Sequence, residues 1–132
     1  MRALMMLATT TALLAAAPAS ALERYRCSDA SSGLGLILEI DEAANAMRYG
    51  DDKRPMRPVC MLLTSGMDDA AAVAAQCHVR VAGDLAMVDL PLRSDGKDQT
   101  SLAAFDRRDL SFVILGRGPA DNLKIAMTCK RG

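Results

Sequence analysis

The one histidine, His78, directly follows Cys77, so any serine or cysteine nucleophile in this chain must take its base from His78 or from a lysine. The serine at Leu63-Thr64-Ser65-Gly66 precedes a glycine but lacks the G-x-S-x-G elbow that exposes a hydrolase nucleophile. Neither a P-loop, a dinucleotide fingerprint nor H-E-x-x-H occurs. The glycine pairs Gly33/Gly35 and Gly116/Gly118 read as turn residues. Carboxylates pair at Asp51-Asp52, Asp68-Asp69 and Asp95/Asp98, as in a glycosidase acid–base couple. Such enzymes line their clefts with sugar-stacking rings, and the only aromatic residues here are Tyr25, Tyr49, Phe105 and Phe112. The run Asp95-Gly96-Lys97-Asp98 is too short and too basic for an EF-hand loop. These patterns predict a chain that binds and does not catalyse, and that uses neither metal nor cofactor.

Cysteine spacing points to a framework. Cys27, Cys60, Cys77 and Cys129 contain no C-x-x-C and no C-x-x-C-H, which argues against structural zinc and c-type haem. On a strand, Cys77 and His78 would face opposite sides and could not share an ion. An even count in a short exported chain reads as disulfides. Of the three possible pairings we favour Cys60–Cys77 with Cys27–Cys129. The first would close a loop of about 16 residues, worth about 3 kcal/mol in the chain-entropy model. The second would tie the first strand to the last.

Export is expected from the N-terminus. Met1-Arg2 is positive, Ala3–Ala17 is apolar apart from three threonines, and Pro18 precedes Ala19-Ser20-Ala21, with small residues at −3 and −1 before a cut. The apolar run is about 15 residues, short of the roughly 20 that span a bilayer. The expectation is a cleaved signal over 1–21, ending near Ala21, and a single domain over 22–132 in the periplasm or outside the cell. Lysine plus arginine and aspartate plus glutamate both number 16. Without Arg2, the remainder carries one more acid than base. Such a chain has no electrostatic pull on nucleic acid or an anionic membrane.

The elements that must position any site are mostly strands. Leu34, Leu36, Leu38 and Ile40 alternate onto one face, and Ala46–Tyr49 can return beside them. Gly50–Pro58 is polar with two prolines and reads as loop; Val59–Leu63 is a short apolar run. Gln76–Val81 and Leu85–Leu92 flank the hairpin signal Gly83-Asp84. A loop is expected over 92–99, a hairpin at Asp106–Asp109, another loop over 116–122, and a last strand Leu123–Cys129 with its odd-numbered residues inward. Asp68–Gln76 is alanine-rich behind two aspartates, the composition of a short capped helix. The predicted fold is mainly β: a small antiparallel β-meander, barrel or sandwich, with one short helix and two disulfides.

Two kinds of function fit this outline. One is a cell-envelope binding module that engages another protein through loops 50–58, 92–100 and 116–122, with Asp51, Asp52, Arg54, Asp95, Lys97, Asp98 and Arg117 as candidate contacts. The other is a carrier of a small ligand or ion, using a barrel interior or the acidic loops. Tyr25-x-Cys27 and Cys129 are also similar to the ends of the small bacterial inhibitors of c-type lysozyme. Those are disulfide-tied β-barrels with an inhibitory loop rich in Ser, Gly and Tyr. The resemblance covers a few residues at each end. Thr64-Ser65-Gly66 matches part of that loop, no tyrosine or tryptophan follows it, and no functional residue is carried over. It implies inhibition of a cell-wall hydrolase as one further possibility.

Overall fold

A computed structural model describes residues 22–64, 75–94, 97–117 and 122–132. The expected signal segment, and the predicted helix up to residue 74, lie outside them; Ala75 and Gln76 form a turn. The strands are β1 (Glu23–Ser28), β2 (Gly35–Asp41), β3 (Ala46–Gly50), β4 (Arg57–Pro58), β5 (His78–Ala82), β6 (Leu85–Ser94), β7 (Lys97–Asp106), β8 (Ser111–Arg117) and β9 (Asn122–Arg131), with one helix, α1 (Val59–Leu63). All pairings are antiparallel, in the order β4-β3-β2-β1-β9-β8-β7-β6-β5. The sheet is therefore two meanders joined where the first strand meets the last, and it curls into a half-barrel. Both disulfides join the cysteines favoured from the sequence: Cys27–Cys129, directly opposed across the β1–β9 seam, and Cys60–Cys77, from α1 to the start of β5.

Alternation sets the inner face. Leu38 and Ile40, Tyr25 and Cys27, Met127 and Cys129, and Phe112 and Ile114 are buried at every second position. On β6 and β7 large residues oppose small ones: Phe105 faces Ala86, Val88 faces Ala103 and Leu90 faces Ser101. Layers built this way interdigitate without colliding. Helix α1 lies across the gap between the two edges of the sheet and buries Val59, Cys60 and Leu63. Beside it Asn45, in the turn after β2, reaches β5 with its side chain. Its amide nitrogen donates to the Val79 carbonyl (2.8 Å), and its amide oxygen accepts from the Val81 N–H (3.1 Å). One amide thus imitates a strand neighbour and satisfies an edge that would otherwise be bare. Asn45 holds φ at 49°, a left-handed conformation that asparagine tolerates.

Three expectations need correction. Residues 92–99 are not a loop: Leu92↔Gln99, Arg93↔Asp98 and Ser94↔Lys97 continue the β6–β7 ladder, and residues 95–96 lie outside the described set. Likewise β8 and β9 pair out to Arg117↔Asn122, so Gly116, Arg117 and Asn122 of the expected 116–122 loop belong to strands, and residues 118–121 lie outside the described set. The physical reason is shared. Backbone N–H and C=O groups pair across a ladder whatever side chains they carry, so a polar stretch can remain in a strand. Pro91 fits because β6 has passed the end of β5, whose first residue His78 pairs with Asp89. In the stretch read as loop 50–58, Arg57 and Pro58 form a two-residue strand on Arg48 and Tyr49.

Candidate functional site

The antiparallel order divides the turns between two ends. At one end lie the turns 42–45, 83–84 and 107–110; at the other lie 29–34 and 51–56, together with the strand ends Ser94, Lys97, Arg117 and Asn122. The first end is sealed by a polar cluster. Arg107 donates from Nε to Glu23 Oε2 (3.0 Å) and from Nη1 to the Gly83 carbonyl, and its Nη2 is buried 3.8 Å from Glu42 Oε2. The Tyr25 hydroxyl donates to the same Glu23 oxygen (2.8 Å). Burial works against ionising Glu23, but the hydrogen bonds from Arg107 and Tyr25 outweigh it and hold the carboxyl below its ordinary range. The Arg107 backbone N–H also donates to the Asp84 carbonyl. This cluster joins β1 to three hairpin tips. A shallow opening of about 490 Å³ beside it is lined by Leu22, Glu23, Arg24, Tyr25, Arg131 and Gly132, of which the Glu23 carboxylate is already engaged by Arg107 and Tyr25.

The second end holds a cavity of about 320 Å³. Its walls come from the ends of four strands and the helix: Leu36 on β2, Tyr49 on β3, Ile114 on β8, Ile125 and Met127 on β9, and Leu62 on α1. Leu34, Pro55, Arg54, Asp51 and Arg57 form the rim, where Leu34 is half exposed. The volume falls in the range of small-molecule sites, and barrel mouths are a usual place for them.

The rim is shaped by the 51–56 turn. Asp51 Oδ1 accepts from the backbone N–H groups of Lys53 (2.8 Å) and Arg54 (2.7 Å), and its other oxygen lies 3.8 Å from Arg54 Nε. Asp51 therefore builds the turn and neutralises Arg54. Gly50 lets the turn fold back: a Cβ there would lie 2.7 Å from Met56 Sδ and 3.4 Å from the Pro55 carbonyl. Asp52 faces away from the cavity lining and pairs with Arg26 (3.3 Å). What remains is Tyr49 and Arg57. They oppose each other across β3 and β4, so their side chains share a face, and both line the cavity. Among the described residues neither the Tyr49 hydroxyl nor the Arg57 guanidinium has a hydrogen-bond or ion-pair partner.

Of the seven candidate contacts, Asp51 and Arg54 come together at this rim and Asp52 lies beside it. Asp95 and the side chains of Lys97, Asp98 and Arg117 lie outside the description. Of the Thr64-Ser65-Gly66 segment, Thr64 is buried at the end of α1, and Ser65 and Gly66 lie outside the described residues. His78 is exposed on β5. Among the described residues no three His, Cys, Asp or Glu side chains converge as metal ligands would, and no helix is long and apolar enough to cross a membrane. Sequence reasoning missed the apolar walls. Alternation marked Leu36, Ile125 and Met127 as inward without indicating that they border empty space. Arg57 stood out only as one of three bases in a polar stretch. No protein-family model, curated protein or solved structure matches the chain.

Proposed function

We propose that this protein is an exported, non-catalytic binding module whose site is the apolar cavity between the 51–56 turn and the ends of β2, β3, β8 and β9. Of the two binding modes open from the sequence, the cavity favours the small ligand over a protein engaged through loops. The observation that carries this choice is the contrast in lining: half-buried Leu36, Leu62 and Ile125, with the buried Ile114 and Met127 behind them, border a solvent-open space whose polar side chains are Tyr49 and the rim residues Asp51, Arg54 and Arg57. Apolar side chains left facing water in a concave site are a surface that a ligand can cover. Export is supported by the N-terminal segment and by the two disulfides, which are compatible with an oxidising compartment.

The test uses protein recovered from the periplasm or medium without reductant. Its N-terminus is expected at Leu22, and a mature chain still carrying Met1 would overturn export. Calorimetric titration with 1-octanol is expected to saturate at one equivalent. Replacing Leu36 with tryptophan fills the cavity and is expected to abolish the heat. A folded wild-type protein giving only linear, unsaturable heats would overturn the binding site.

A further inference from the structure

We infer that the cavity selects an apolar chain carrying an anionic head, a medium-chain carboxylate being the simplest case, held by Tyr49 and Arg57. This rests on the cavity being the binding site and adds the chemistry of its occupant. The charges at the mouth cancel in a particular way. Asp51 is taken up by two backbone N–H groups and by Arg54, and Asp52 by Arg26. Arg57 is the cation that lines the cavity with no carboxylate beside it among the described residues. Tyr49, its cross-strand neighbour, adds a phenol hydroxyl without a partner in the same set.

A guanidinium and a hydroxyl carried at opposed positions of one sheet face are both donors, and a carboxylate can accept from each with one of its oxygens. A cationic head would meet Arg57 with like charge, and a neutral alcohol would use only part of the donor set. The apolar walls take the tail. At about 30 Å³ for a water-sized group, a 320 Å³ cavity has room for roughly ten non-hydrogen atoms. That matches a carboxylate of about eight carbons with its head at the rim.

The experiment compares octanoate, 1-octanol and octylamine by calorimetry at neutral pH and low salt, in the wild type, Arg57→Gln, Tyr49→Phe and Lys53→Gln. Octanoate is expected to bind about fivefold more tightly than octanol, a modest factor because the guanidinium is exposed. Octylamine is expected to bind more weakly than either. Each methylene removed from the tail is expected to weaken binding about fourfold. In Arg57→Gln the octanoate-to-octanol ratio is expected to fall toward one, and Tyr49→Phe to reduce it in part. Lys53→Gln removes the same charge from the same turn but not from the lining, and is expected to keep the ratio.

Equal affinity for octanoate and octanol in the wild type would overturn the anionic head while leaving the cavity as the site. So would a ratio that collapses equally in Lys53→Gln, since a diffuse positive field would then account for it. If none of the three compounds binds, the cavity itself fails as a site.

Discussion

Three of the four aromatic rings lie toward one end of the half-barrel, and they are enclosed there. Tyr25, Phe105 and Phe112 are each almost wholly buried, with Tyr25 and Phe105 in contact at 4.5 Å between ring centres. The fourth ring, Tyr49, is half-buried in the wall of the cavity at the other end. Both ends are lined by the same alternating strands, so the difference is one of volume. Rings fill the curl near the Arg107 cluster, whereas Leu, Ile and Met near the 51–56 turn leave space. The charges differ in the same sense. Arg107 is engaged by Glu23, Glu42 and the Gly83 carbonyl, while Arg57 has no partner among the described residues. One end spends its side chains on the fold and the other leaves them available.

The sharpest way to break that comparison is to truncate a wall on each side. Phe105→Ala is expected to cost about 3–5 kcal/mol, because a fully enclosed ring leaves a void that its neighbours cannot fill. Ile114→Ala, at the border of the cavity, is expected to cost about 2 kcal/mol, the low end for this substitution, since part of the side chain already faces empty space. Urea unfolding without reductant measures both. Equal losses would mean that the second end is as tightly packed as the first.

A smaller effect is expected from the sealed end's charge. Arg107→Met leaves Glu23 with only the Tyr25 hydroxyl and strips the Gly83 carbonyl of its donor. At 16% side-chain exposure the arginine is mostly withdrawn from water, and a loss of about 2 kcal/mol is expected near neutral pH. The pH dependence has a definite sign. Glu23 is held below its reference value of 4.5 in the folded state, so its contribution is complete above that value and is lost as pH falls through the lower folded one. The gap between wild type and Arg107→Met should therefore close on acidification. A gap constant from neutral pH down to strong acid would mean that packing of the arginine stem, not its charge, holds this end.

How much of this was legible in the sequence follows from what alternation can report. It marks which side a residue faces, and so gave β2, the β5–β6 hairpin, the inward Met127 and Cys129 of β9 and the mainly β class. Cysteine parity and the short 60–77 interval brought the disulfide partners within reach. Alternation reports side chains and not backbone pairing, and for that reason 92–99 reads as a polar loop although Leu92, Arg93 and Ser94 pair with Gln99, Asp98 and Lys97. Val59–Leu63 is too short for either period to declare itself; it is helical because it packs across a gap that exists only once the sheet has curled. The cavity is harder still. Leu36, Leu62, Ile114 and Ile125 come from separate elements, and each is an ordinary core residue until one asks what fills the space between them. With four rings and no tryptophan, the interior is filled mostly by aliphatic side chains, and composition does not say where they leave space.

The smallest expected effect bears most directly on the two arginines. Arg57→Gln removes a cation as Arg107→Met does, but from an exposed position with no carboxylate or carbonyl to abandon among the described residues. Its loss leaves no buried group unsatisfied, so the urea midpoint is expected to stay where it is in the wild type, even as the preference for octanoate over octanol disappears. A stability loss comparable to that of Arg107→Met would tie Arg57 into the fold and remove the reason for assigning it to a ligand. An unchanged midpoint together with a changed ligand preference would separate the two functions of charge in this molecule: at the sealed end it joins the hairpin tips, and at the cavity it is kept free for something that is not part of the chain.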